Sequence, residues 1–205
     1  PEKMKKLKDI GLDHVLTSWF SYFPTETDNI TQYKGSFQKI VEGIKVTVAQ
    51  GIRVSANTIV TQLNHDTIYN SGKFLNSLGV SQFFAHRVIP PAYDREDKEK
   101  QFSAKIEVAK RSLDELLRLK NEFGMKVGTL INYPLCLLGD LEKYQDFVGR
   151  GCPTQQGHRF NLNSNGESHG CVMEDKNYGN IYEVGLKEAY AKTKSWRNDS
   201  YLFEG

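Results

Sequence analysis

The sequence predicts an α/β fold over residues 1–133, with parallel strands alternating with helices as in about half of a (β/α) barrel. Three observations predict it. Four short runs rich in β-branched and aromatic residues are separated by stretches with helical apolar spacing. Glycines punctuate the ends of those stretches at Gly11, Gly51, Gly79 and Gly124. Beyond Pro134 the long apolar stripes stop, and Gly, Asn and Ser accumulate over residues 149–185. The domain boundary is therefore expected near Pro134, giving a barrel-like part over 1–133 and a small second part over 134–205.

Each element has its own local reason. Residues 3–10 read as a helix end, with Met4 and Leu7 on one side and Gly11 as the stop. HVLTSWF, 14–20, has no helical period and forms the first strand. Ser36 is the expected N-cap of a helix whose stripe is Phe37, Ile40, Val41, Ile44 and Val48. IRVSANTIV, 52–60, is the second strand. Asn64 or Asp66 then caps a helix in which Ile68, Leu75 and Leu78 share a face. SQFFAHRVI, 81–89, is the third strand, halted by Pro90 and Pro91. Over 97–123, Phe102, Ile106, Ala109, Leu113, Leu116 and Leu117 keep a spacing of three to four, and KVGTLINY, 126–133, is the fourth strand. A sheet cut at the first strand would leave an unpaired edge, so another half is expected to cover it, from the same protein or a partner chain.

Composition narrows the function classes. The 205 residues are 39% hydrophobic and 25% charged, enough apolar material for a packed core. Twenty-seven basic against 25 acidic residues leave a net charge of +2, which argues against a dedicated nucleic-acid or membrane-surface protein. The longest apolar run, 135–138, is far below the roughly 20 residues a membrane span needs. Three cysteines, an odd number, suit a reduced cytoplasmic protein whose thiols ligate or pack. The start at Pro1 and the end at Gly205 are read as cuts in a longer chain.

Two of those cysteines bracket a patterned segment: Cys152, thirteen residues, Gly166, four residues, Cys171. HRFNLN alternates as a strand does, and Asn165-Gly166 signals a two-residue hairpin turn. Such a hairpin is expected to bring the two sulfurs together, as an iron–sulfur cluster or a zinc ion requires. Cys136 in NYPLCLLGD supplies a candidate third ligand, with a small buried hydrophobe as its other reading. For zinc the set would be Cys152, His158, His169 and Cys171, but the one-residue gap between His169 and Cys171 points them to opposite faces of a strand.

The spacing C-x13-G-x4-C, followed by GNIYEVGLKEAYAKTKSWRN, resembles the opening of the SPASM domain of radical S-adenosylmethionine enzymes. Upstream, KLKDIGLDHVLTSWF resembles the helix and fourth strand of that family's barrel. YKGSFQKIVEGIKVTVAQGIRVSANTIVTQLN resembles the next helix and fifth strand, and LGVSQFFAHRVIPP the sixth. The resemblance implies the C-terminal part of a (β/α)6 partial TIM barrel followed by a SPASM- or twitch-like hairpin and helix. It also implies auxiliary [4Fe–4S] clusters held by Cys136, Cys152 and Cys171, with S-adenosylmethionine as the second cofactor. The family's catalytic loop, C-x3-C-x2-C, is absent, as are the later SPASM cysteines.

By the same resemblance, Ser18 stands where a hydroxyl contacts the cofactor's ribose, although Phe20 replaces the acidic residue that often follows. Asn57 would face the barrel and meet the cofactor's amino-acid end, and Arg87 would grip a carboxylate. His86 alternates away from Arg87 and is expected to be packed or exposed, and Asn64 is expected to be only a helix cap. The implied activity is hydrogen abstraction from a peptide or protein by a 5′-deoxyadenosyl radical. A zinc-stabilised or partner-binding module, or one chain of a split enzyme, is the alternative.

Overall fold

All four β-branched runs become strands. A computed structural model describes residues 2–88, 105–133, 135–148, 158–171 and 176–194. The described residues group into two units, 2–88 with 105–148 and 158–194. In the first, β1 (His14–Ser18), β2 (Arg53–Val60), β3 (Gln82–Arg87) and β4 (Lys126–Gly128) form one parallel sheet in the order β1-β2-β3-β4. Its helices are α1 (Glu2–Asp9), α2 (Pro24–Thr31), α3 (Ser36–Ala49), α4 (Ile68–Ser77), α5 (Ile106–Phe123) and the short α6 (Leu135–Leu138). Parallel neighbours need a crossover between them, and α3, α4 and α5 supply the helical part of each.

Alternation along the strands decides which side is sealed. Val54, Ala56 and Val60 of β2 and Phe83 and Ala85 of β3 share one side. There they meet Ile44 of α3, Leu75 of α4 and Ala109, Leu113, Leu116 and Leu119 of α5, all almost fully buried. The α5 stripe thus runs through Leu119, while Leu117 of the expected set is only partly buried. Helices α4 and α5 touch closely at Gly72, where a Cβ would stand 2.1 Å from a methyl of Leu119. At the C-terminus of α5, Gly124 turns the chain with φ +65°.

Several local expectations change. Helix α2 has no counterpart in the apolar spacing of the sequence, although Pro24 at its first turn and Glu26 beside it are ordinary helix-start residues. Ser36 is the first residue of α3 and not its cap; Gly35 is. The capping carboxylate comes from α2, where Asp28 accepts from the amides of Gly35 at 2.6 Å and Phe37 at 3.2 Å and from Ser36 Oγ at 2.9 Å. Those donors, Gly35 first, hold the Asp28 carboxyl below its ordinary range. Helix α4 begins after Thr67 with no side-chain cap, so neither Asn64 nor Asp66 caps it. Helix α5 starts at Ile106, and Phe102 lies outside the described residues.

The unit boundary also moves, from Pro134 to the stretch after Val148. Leu138, Tyr144 and Phe147 are buried in the first unit's core, and Tyr144 Oη donates to Asp114 of α5 at 2.8 Å. Composition alone marked the change too early, because a few well-spaced large side chains suffice to dock an irregular segment.

The second unit is built on β5 (Asn161–Leu162) and β6 (Ser168–His169), an antiparallel hairpin. Its turn is not the two-residue type expected from Asn165-Gly166, because Asn165 does not take positive φ. Asn163 pairs with Glu167, leaving a three-residue loop in which only Gly166 is left-handed, at φ +83°. A Cβ at Gly166 would also strike the Tyr182 ring, 2.5 Å away. The Gly179-Asn180 step lies along β6, where Ser168 N donates to Gly179 O at 2.9 Å and Tyr178 N to Ser168 O at 2.8 Å. Asn180 joins turn to helix: its Nδ2 donates to Asn165 O at 2.9 Å, and its Oδ1 accepts from Tyr182 N at 2.9 Å. The expected single helix is two, α7 (Ile181–Val184) and α8 (Leu186–Lys192), separated by Gly185 at φ +79°.

Candidate functional site

The side of the sheet opposite the helices carries a polar array. Register and alternation place His14, Leu16 and Ser18 of β1 there, with Ser55, Asn57 and Ile59 of β2, Gln82, Phe84 and His86 of β3 and Gly128 of β4. Leu16 and Ile59 are each 49% exposed on this side, although a strand centre normally buries such residues.

Two hydrogen-bonded groups cross it. Near the strand starts, Ser55 Oγ donates to Gln82 Oε1 at 2.8 Å and, its one proton being used, accepts from His14 Nε2 at 2.8 Å. Ser55 is fully buried, so this group ties three strands together and offers no accessible nucleophile. Near the strand ends, Ser18 stands directly beside Asn57 in register, and His86 Nδ1 lies 2.9 Å from Asn57 Oδ1. With that carbonyl accepting, the ring proton sits on Nδ1 and the lone pair on Nε2. His86 is 93% buried, counting its 7% exposure, and burial first, then the nearby Arg87 charge, pushes its pKa down to about 4. It is therefore neutral at neutral pH.

Just beyond the ends of β1 and β2, buried Asn64 fixes the rim. Its Nδ2 donates to Phe20 O at 2.8 Å and Ile59 O at 3.0 Å, and its Oδ1 accepts from Thr61 N at 2.8 Å. Parallel α/β sheets bind ligands at this end of their strands, because the connecting loops there converge while the scaffold stays rigid.

The sequence-derived candidates separate in space. Ser18 and Asn57 come together on the side that no described helix covers, whereas Arg87 alternates to the helix-covered side with Phe83 and Ala85. Its Nε is buried there with no hydrogen-bond partner among the described residues. His86 alternates away from Arg87 and is packed, as expected, and its ring is in addition the hydrogen-bonded neighbour of Asn57. Its signal was in the sequence: Asn57 and His86 have the same strand parity once β2 and β3 are aligned, but that alignment is not itself written in either strand.

Cys136 is exposed in α6 of the first unit, and Cys171 is partly buried just after β6 in the second. Cys152 lies outside the described residues. The pairing of Asn161 with His169 carries Cys171 toward position 159, seven residues from Cys152, so the hairpin register alone does not join the two sulfurs. His169 Nδ1 is bound to Lys176 O at 3.1 Å, and His158 is exposed beside Phe160 and Tyr190. Among the described residues no group of three or more His, Cys, Asp or Glu side chains is arranged to hold a metal ion. Among them, too, no helix is long and apolar enough to cross a membrane. Neither a protein-family model nor a curated protein matches this chain.

Proposed function

We propose that this chain is part of a radical S-adenosylmethionine enzyme with auxiliary iron–sulfur clusters that modifies a peptide or protein substrate in the cytoplasm. The observation that carries the reading is the pairing of Ser18 with Asn57 at the strand ends of a parallel sheet whose other side packs against helices. A half-barrel has this arrangement, with helices outside and a polar array facing the interior. The uncovered side, and the β1 edge, are then the surfaces against which the remaining strands pack.

The residues fit S-adenosylmethionine: a hydroxyl and a carboxamide side by side match the hydroxyls and carboxylate of a nucleoside linked to an amino acid. In the family that cofactor supplies the 5′-deoxyadenosyl group. For an auxiliary cluster the fit is incomplete, since Cys136, Cys152 and Cys171 are one short of the four thiolates a [4Fe–4S] cluster takes. The fourth iron site would have to be held by a ligand other than a cysteine of these 205 residues. The catalytic cluster does not fit this chain at all, because C-x3-C-x2-C occurs nowhere in it. What the chain's own residues contribute is cofactor binding, an ordered strand-end rim and thiols for an auxiliary centre.

Anaerobic reconstitution with iron and sulfide tests the reading. Retained iron and acid-labile sulfide that fall in Cys152→Ala and Cys171→Ala support it. Retention of zinc alone supports the zinc-stabilised module, and a chain that binds neither while pairing with a second polypeptide supports a split enzyme.

A further inference from the structure

We infer that His86 is a positioning residue: its Nδ1–H holds Asn57 Oδ1 and thereby presents the Asn57 amide nitrogen, beside Ser18, to an acceptor oxygen at the amino-acid end of the bound cofactor. The inference rests on the reading of the Ser18–Asn57 pair as a cofactor site. It adds a residue that neither the strand pattern nor the family resemblance assigned.

The argument is one of donors and acceptors. An asparagine amide has two nearly isosteric ends, and rotation about its last side-chain bond is broad and roughly two-fold. Left alone on an open sheet surface, Asn57 would offer a ligand its oxygen as readily as its nitrogen. The 2.9 Å bond to His86 removes that choice by using the oxygen. The Asn57 nitrogen has no hydrogen-bond partner among the described residues and is not among the sealed polar atoms, so it remains available as a donor. Asn57 O meanwhile accepts from Trp19 N at 2.8 Å, which fixes its backbone. His86 is itself held by burial, and its neutral ring keeps one donor and one acceptor. The groups are thus set before any ligand arrives, the condition under which a hydrogen bond costs least to form.

Removing the imidazole reverses the presentation. In His86→Phe the Asn57 oxygen loses its donor and turns toward water, facing an acceptor oxygen of the ligand with another acceptor. His86→Gln restores an N–H at about the same reach.

The test is equilibrium binding of S-adenosylhomocysteine to the full chain by calorimetry, together with 15N relaxation of the Asn57 side-chain amide without ligand. Expected are a loss of about tenfold in affinity for His86→Phe, as for one hydrogen bond, and recovery to within about twofold of the parent chain for His86→Gln. Asn57→Ala should weaken binding similarly, and His86→Phe should add nothing further to it. In the free chain the Asn57 amide should gain mobility in His86→Phe and regain order in His86→Gln. Unchanged binding in His86→Phe alongside weakened binding in Asn57→Ala overturns the positioning role and leaves the site reading intact. A parent chain that binds no better than Asn57→Ala overturns the site reading. An amide equally mobile in all three chains overturns the positioning role whatever ligand the site takes.

Discussion

The two sides of the sheet are made from the same strands and have opposite chemistry. On one, Val54, Ala56, Val60, Phe83 and Ala85 are sealed by three helices. On the other, one residue away along each strand, His14, Ser55 and Gln82 form one hydrogen-bonded group and Asn57 and His86 another, with Ser18 beside Asn57 in register, and Leu16 and Ile59 stand half exposed. Burial of apolar area stabilises the first side at about 25 cal/mol per Å². The second side buries little apolar area and holds its side chains through donors and acceptors. Apolar packing and polar hydrogen bonding are therefore divided by strand parity, so substitutions one position apart should have different consequences.

The largest contrast comes from the covered side. Leu119→Ala removes a fully buried side chain seated against Gly72 and should cost about 2–5 kcal/mol, read as a lower urea midpoint. A cost below about 1 kcal/mol would show that the α4–α5 contact does not close the core. At the strand ends, Asn64→Ala leaves Thr61 N, Phe20 O and Ile59 O without their side-chain partner and should cost about 1–3 kcal/mol in the same measurement. Stability unchanged within error would mean that solvent replaces all three bonds and that the rim is not fixed by this residue.

On the uncovered side, His86 should make stability depend on pH. Its folded pKa of about 4 lies below the ordinary 6.5, so the unfolded chain takes up a proton first as pH falls. The stabilisation is fully present above pH 6.5 and is lost progressively from there down through pH 4, reaching a loss of about 2 kcal/mol at pH 5. Unfolding curves at pH 7 and pH 5 should differ by that amount more in the parent chain than in His86→Phe. Equal differences in the two chains would remove His86 as the cause. The smallest effect belongs to the exposed apolar residues: Leu16→Ser and Ile59→Ser should each change stability by no more than about 0.5 kcal/mol. A cost as large as that of Leu119→Ala would show that something covers this side in solution and would erase the contrast.

The two units differ in a similar way. In the first, a continuous core absorbs even the irregular stretch carrying Tyr144 and Phe147. In the second, few large side chains are buried among the described residues, and specific polar residues link its elements. Asn180 serves turn and helix at once, and Gly166 leaves room for the Tyr182 ring. A unit held in this way depends more on individual side chains than one held by area.

Much of this was legible in the sequence because its causes are local. The β-branched runs at 14–18, 53–60 and 82–87 become strands, the glycines end helices, and the spacing of Ala109, Leu113 and Leu116 marks the buried stripe of α5. The hairpin was legible from Asn165-Gly166, although its turn type was not, since that depends on which residues pair across it. Helix α2 was missed despite Pro24 because its apolar spacing is weak and its role is to carry Asp28 to the start of α3.

The alternation of strand and helix and the covered stripe follow from periodicity, which a single stretch of chain carries within itself, whereas the meeting of Ser18 with Asn57 needs the β1–β2 register. The exchange of Arg87 for His86 beside Asn57, the use of Asn64 as a rim tie and the placement of the unit boundary after Val148 were decided only on folding. Each depends on contacts between residues tens of positions apart, and burial and hydrogen-bond satisfaction select such contacts only once the strands have been aligned and one side of the sheet has been closed.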